Sequence, residues 1–95
     1  MQLGKIIGEV VATQKVNGLN DFKLALVEDV DEALKTTGKK TVAVDLLNCG
    51  HGEIVLYTGG SSARQTGQTD KKPVDAVVVG IVDIICAHGK ETYKK

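Results

Sequence analysis

The 95-residue sequence has no tryptophan and only three aromatic residues, Phe22, Tyr57 and Tyr93. Almost nothing is available for base stacking, which argues against single-stranded nucleic acid as a ligand. Charge of one sign is also missing: twelve Lys plus Arg balance twelve Asp plus Glu. A dedicated nucleic-acid binder needs a basic footprint, so that class is disfavoured. The longest apolar run, Ala76 to Val82, is bracketed by Asp75 and Asp83 and is far too short to cross a bilayer. The N-terminal residues carry no basic leader, apolar stretch or small-residue cleavage site, so a cytoplasmic location is expected. Two cysteines, Cys49 and Cys86, are too few for a disulfide-stapled secreted scaffold, and both are expected as free thiols. A single proline and eleven glycines fit short strands and tight turns better than long helices.

What is present is ordinary globular composition, 42% apolar and 25% charged. The length bounds it to one small domain, residues 1–95, with residues 88–95 as a polar tail. Apolar residues recur with a period of two in four segments: Gly4 to Thr13, Phe22 to Val30, Thr41 to Leu47 and Glu53 to Thr58. A fifth, Val74 to Ile85, is rich in Val and Ile on both faces. These patterns predict five strands. In the first, Gly4, Ile6, Gly8, Val10 and Ala12 share a face. Asp31 to Leu34 is read as one helical turn stopped at Gly38, and Ser61 or Ser62 as the cap of a short helix through Ala63, Arg64 and Gln65. The fold class predicted is mainly β: a small five-stranded OB-like barrel with one short helix between the fourth and fifth strands.

A barrel this narrow fills its interior with one face of each strand. Yet the other faces of the first and last strands still carry Ile7, Val11, Val77, Val79, Ile81 and Ile85. Each is worth about 1.5–3 kcal/mol when buried, and contiguous apolar surface is rarely left wet on a monomer. The short polar tail cannot cover it, so another subunit is expected to. Arg64, with five donors, is expected to pair with Asp75, Asp83 or Glu53, within one subunit or across the seam.

At this point the residues resemble a known family. Gly8 to Lys15 with Gly18 and Leu19, Val42 to Asp45 followed by Gly50 to Glu53, Gly59 to Arg64, and Pro73 to Asp83 are together similar to the bacterial microcompartment vertex proteins, the EutN/CcmL family. The resemblance spans nearly the whole chain in the right order. It implies a structural shell protein whose homopentamers close the vertices of a polyhedral compartment, against hexameric shell proteins of another fold. The likeness is nearer to members from metabolic compartments than to those of carboxysomes. It implies that the outer faces of the first and last strands are the subunit seams, as the burial argument requires. The Gly-rich turn of the family begins Gly-Ala-Gly, whereas this chain has Asn48, Cys49 and Gly50. Asn tolerates positive φ best among non-glycine residues, so the turn survives the change.

The remaining motifs carry little chemistry. Cys49-x-His51 and Cys86-x-His88 are too closely spaced for a structural zinc site, and no metal or other cofactor is expected. A narrower possibility is that Asn48 to Gly52 faces a fivefold axis, where five copies of Cys49 or His51 would ring a pore. Gly59 to Gly67 lacks the Gly-Lys-Ser/Thr ending of a phosphate loop. Asp45 and Glu53 have no companion base or nucleophile, and Ser61 and Ser62 have no triad partners, so an enzyme is not expected. The alternative function is a small OB-fold module for nucleic acid or oligosaccharide.

Overall fold

A computed structural model describes residues 1–13, 15–16, 22–60, 66 and 75–95. The strands are β1 (Gln2–Val10), β2 (Lys23–Val30), β3 (Thr36–Asp45), β4 (Ile54–Gly59), β5 (Ala76–Ile81), β6 (Ile84–Ala87) and β7 (Lys90–Lys94). The first five close a barrel in the order β1-β2-β3-β5-β4, with β1 also paired to β4. All pairs are antiparallel except β3 with β5, where Val44 faces Val77 and Asp45 faces Val78. The five-stranded barrel expected from the sequence is therefore present. The short helix at Ala63 to Gln65 falls outside the described residues.

The interior is built from small and β-branched residues. Ile6, Ala25, Val27, Ala43, Cys49, Val55, Tyr57, Ala76 and Val78 form one buried cluster. Tyr57 is its one large ring, and space for it is made opposite Gly4. A Cβ at Gly4 would lie 2.3 Å from Val27 Cγ1 and 2.9 Å from Tyr57 Cε1, closer than any real contact.

Three irregularities correct the period-two reading. In β1, Ile6 faces Val27 and Gly8 faces Leu26, so Ile7 is an extra residue. Gly4 and Ile6 face inward, but beyond this bulge Gly8 and Val10 change sides. In β5, Val78 faces Tyr57 and Gly80 faces Leu56, so Val79 is extra. Ile81 consequently turns inward and packs on the core instead of sharing the outer face with Val77 and Val79. In β3, residues 37–39 stand against Asp29 alone, and Gly38 sits there at φ 89°. Gly38 is thus a bulge residue and not a helix stop.

Asp31 to Leu34 is a tight turn, not a helical one. The Leu34 amide donates to the Asp31 carbonyl at 2.9 Å, and Asp31 Oδ1 accepts from the Ala33 and Lys35 amides. β3 therefore begins at Thr36, five residues before the apolar alternation. Its first half, Thr36 to Lys40, is exposed and polar, so no apolar pattern announces it.

The long fifth segment also divides. β5 ends at Ile81, and after Val82 and Asp83 the chain enters β6. The expected polar tail is strand β7, which folds back on β6 through a turn with His88 at φ 55° and Gly89 at φ 78°. Together they make a two-stranded ribbon separate from the barrel. Thr92 Oγ1 donates to the Glu32 carbonyl at 2.8 Å, and Lys95 reaches Glu53 at 2.7 Å. The tail is therefore fastened, not loose in solvent.

Candidate subunit seam and Gly-rich turn

The turn from Asn48 to Gly52 follows β3 because a buried carboxylate stops the strand. Asp45 lies at the end of β3 with its side chain fully covered. Its Oδ1 accepts from the Leu47 amide at 3.0 Å and its Oδ2 from the Cys49 amide at 2.8 Å. Lys23 Nζ stands 3.6 Å away and also donates to Asn48 Oδ1 at 3.0 Å. Burial pushes this carboxyl up, but the two backbone amides, the Cys49 thiol and Lys23 together bring it below its ordinary value. Asn48 adopts φ 56° and Gly52 φ 89°, the positive values the sequence anticipates for this turn. The Gly52 amide donates to the Ile6 carbonyl and the Ile6 amide to the Glu53 carbonyl, which dock the turn on β1.

The five turn residues do not share a surface. Asn48, Gly50 and His51 are exposed and Gly52 is half-buried, but Cys49 belongs to the barrel core. Burial and the Asp45 carboxylate push its thiol up to about 12. Cys49 therefore cannot line a pore, because its side chain fills the interior that the small inward residues leave open. Of the proposed ring only His51, Asn48 and the glycines are free to face an axis. The turn borders a cavity of about 290 Å³ with Ile6, Gly8, Glu9, Lys23 and Ala25. Cys86 is exposed, not buried as a small apolar side chain would be, and both thiols are free. Among the described residues no three His, Cys, Asp or Glu side chains converge as metal ligands.

The expected seam residues divide similarly. Val11 is 79% exposed and Val79 36% exposed, while Asp75 and Asp83 lie on the surface. Ile7, Ile81 and Ile85 are half-buried. Val77 is 0% exposed. It lies on the outer side of the sheet, but with Val44 it forms a second cluster closed over by Phe22, Leu24 and Leu46. Val77 is therefore satisfied within its own chain. Arg64 and its proposed carboxylate partners cannot be joined, since Arg64 falls outside the described residues. Glu53, one of those partners, already holds Lys95.

The structure adds exposed apolar residues that the sequence reading missed: Val42 on β3, Leu47 beyond it and Ile84 on β6. Val42 faces Leu26 across the β2–β3 pair, so it is an outer-face residue beyond the Phe22, Leu24 and Leu46 cover. The signal was there in Val42, Val44 and Leu46 alternating with Ala43 and Asp45. Small Ala43 marks the inner side, which leaves the larger residues outside.

The sequence profile of the family described as ethanolamine utilisation protein EutN/carboxysome matches residues 1–83. The chain is 47% identical over 85 residues to the bacterial microcompartment shell vertex protein GrpN of Rhodospirillum rubrum, covering 90% of this chain and 96% of that one. The solved GrpN pentameric microcompartment shell protein matches with TM-score 0.83 and 45% identity, over 92% of this chain and 100% of that chain. The shell vertex protein EutN of Salmonella typhimurium is 41% identical over 95 residues, covering 100% of this chain and 96% of that one. The structure of CcmL of Gloeobacter violaceus matches with TM-score 0.94 and 39% identity, over 100% of this chain and 98% of that one.

Proposed function

The chain belongs to the EutN/CcmL family of microcompartment shell vertex proteins, and from that premise we propose that five copies close a ring at a shell vertex. Its function is structural: it is a vertex protein of a bacterial microcompartment shell. The observation that carries this is similarity over essentially the full length to shell vertex proteins, one of them solved as a pentameric shell protein. Flat sheets of hexameric shell proteins cannot close without fivefold defects, and a cyclic head-to-tail ring supplies one. The hexamers are thus the partners this reading requires.

The seam we assign to it uses the outer apolar residues Val11, Val42, Val79 and Ile84, with Asp75 and Asp83 as its polar edge. Ile7 and Ile85 contribute only their exposed portions. Val77 is excluded by its burial, and Ile81 by its packing inward on the core. The His51 and Asn48 side of the Gly-rich turn is assigned to the axis, with an opening no wider than water or small ions need. No catalytic role is assigned: among the described residues the Asp45 carboxylate is capped by backbone amides and the Cys49 thiol is buried. The nucleic-acid or oligosaccharide module finds no support among the relatives.

We place the chain in a metabolic compartment and not a carboxysome. The 47% identity to GrpN supports this reading, whereas EutN at 39–41% and CcmL at 35–42% do not separate the two classes, and the TM-scores of 0.83 to GrpN and 0.94 to Gloeobacter CcmL run in the other direction. Native mass spectrometry tests the ring: a species of five chain masses is expected, and a monomer at high concentration overturns it. Shells purified through this subunit should lack a carbon-fixing carboxylase. Its co-purification would move the assignment to the carboxysome.

A further inference from the structure

Glu53 is a junction between two parts of the molecule that the strand order keeps apart. Its Oε1 accepts from the Gly50 amide, inside the Gly-rich turn. Its amide donates to the Gly50 carbonyl at 3.2 Å, which closes the same turn from the other side. Its Oε2 accepts from Lys95 Nζ at 2.7 Å, at the end of the β6–β7 ribbon. Lys95 is held in register by its own amide, which donates to the Asp83 carbonyl at 2.8 Å. Asp83 lies in the two-residue link between barrel and ribbon, so one residue ties the ribbon's root and its last strand to the turn.

The ribbon has few other fastenings among the described residues. It pairs with no barrel strand, and a two-stranded ribbon alone is marginal in water. It is also anchored among the described residues by Thr92 Oγ1, which donates to the Glu32 carbonyl at 2.8 Å, and by His88 Nε2, 3.7 Å from Glu32. The ribbon is thus a strap with one attachment on the Asp31–Leu34 turn and another on Glu53.

We propose that the Glu53–Lys95 contact is a latch coupling the position of the β6–β7 strap to the conformation of the Asn48–Gly52 turn. With the latch closed, Lys95 fixes the carboxylate rotamer in which Oε1 meets the Gly50 amide. With the strap lifted, the carboxylate is released to water, and the Gly50–Glu53 end of the turn keeps only its backbone bonds, while Asp45 and Lys23 still hold the Asn48–Cys49 end. A protein that grips the strap therefore alters the turn, and a ligand at the turn alters the strap, since such coupling is reciprocal. The Lys95 ammonium and the Gly50 amide both favour the ionised carboxylate, in keeping with the lowered position of Glu53 and the raised position of Lys95. The latch is a property of one subunit and stands whether or not five copies form a ring.

Hydrogen–deuterium exchange on the intact assembly tests it with Lys95→Met and Glu53→Gln. In each variant, amides of Gly50 to Gly52 and of Ile84 to Lys94 are expected to exchange together, roughly two- to fivefold faster, the scale of an exposed ion pair. The mass of the assembly is expected to stay unchanged. The proposal is overturned if Lys95→Met quickens only the strap, or if Glu53→Gln quickens only the turn. Should either variant melt early, the wild type in about 1 M salt screens the same pair and must show the same joint acceleration. Its absence there rejects the latch.

Discussion

The Tyr57 hydroxyl donates to Asp29 Oδ1 at 2.8 Å, joining β4 to β2 across the barrel. The other Asp29 oxygen accepts from Thr37 Oγ1 at 2.9 Å, on the β3 bulge. One carboxylate thus ties the largest core side chain to the irregular end of the barrel. Burial, then the Asp29 carboxylate, push the phenol up to about 12 against Thr41, which acts the other way.

That shift fixes a pH dependence. Tyr57 ordinarily ionises at 10.0 and Cys49 at 9.0, and in the folded chain both rise to about 12. The unfolded chain loses these protons first. Their contribution is therefore complete below pH 9 and falls as pH rises towards 12. Urea denaturation between pH 8 and 12 is expected to show that decline. In Tyr57→Phe the decline above pH 10 should become shallower, with Cys49 supplying what remains, and in Tyr93→Phe the remaining phenol should titrate near pH 12 by its absorbance.

Gly4→Ala is expected to be the most damaging small substitution in the barrel. The new methyl meets Val27 Cγ1 at 2.3 Å with Tyr57 behind it. Overpacking of this kind costs about 1–3 kcal/mol or more. Gly8→Ala, where a Cβ meets nothing within 4 Å, is the control and should melt close to the wild type.

Asp45→Ala removes the acceptor for the Leu47 and Cys49 amides. Each amide left without a partner costs about 1–3 kcal/mol where it is buried. Since the folded carboxyl lies below its ordinary 3.8, its contribution is present above that value and is lost as pH falls through the lowered one. Acid titration of stability should therefore be shallower in Asp45→Asn than in the wild type.

The two thiols should react differently. Cys86 is exposed and Cys49 is buried beside a carboxylate. A thiol reagent at neutral pH is expected to modify one cysteine per native chain, and a second only in denaturant. Peptide mapping should place the first label on Cys86.

Val42→Asp and Val79→Asp each put a charge on the outer apolar face. If that face is the seam, each should weaken assembly at least tenfold, or about 1.4 kcal/mol, while circular dichroism of the chain stays that of a β-barrel. Val77→Asp should instead unfold the chain, because Val77 is enclosed by Phe22, Leu24 and Leu46.

The sequence by itself determined the barrel. Alternation along Phe22 to Val30, Thr41 to Leu47 and Glu53 to Thr58 is a local signal, and side chains of adjacent residues must point to opposite sides of a strand. The positive φ of Asn48 is likewise a local demand, met by the non-glycine side chain that tolerates it best. Only the tertiary structure decided which side is inside. The bulges at Ile7 and Val79 change the count by one, and whether a strand takes an extra residue depends on the partner it pairs with. That is why Ile81 reads as a seam residue yet packs partly on the core, while Val77 keeps its outer side and is covered by Phe22, Leu24 and Leu46. The β6–β7 strap and its latch were hidden for the same reason. Lys95 and Glu53 are distant in the chain, and only closure of the barrel and the fold-back of β7 bring their charges together.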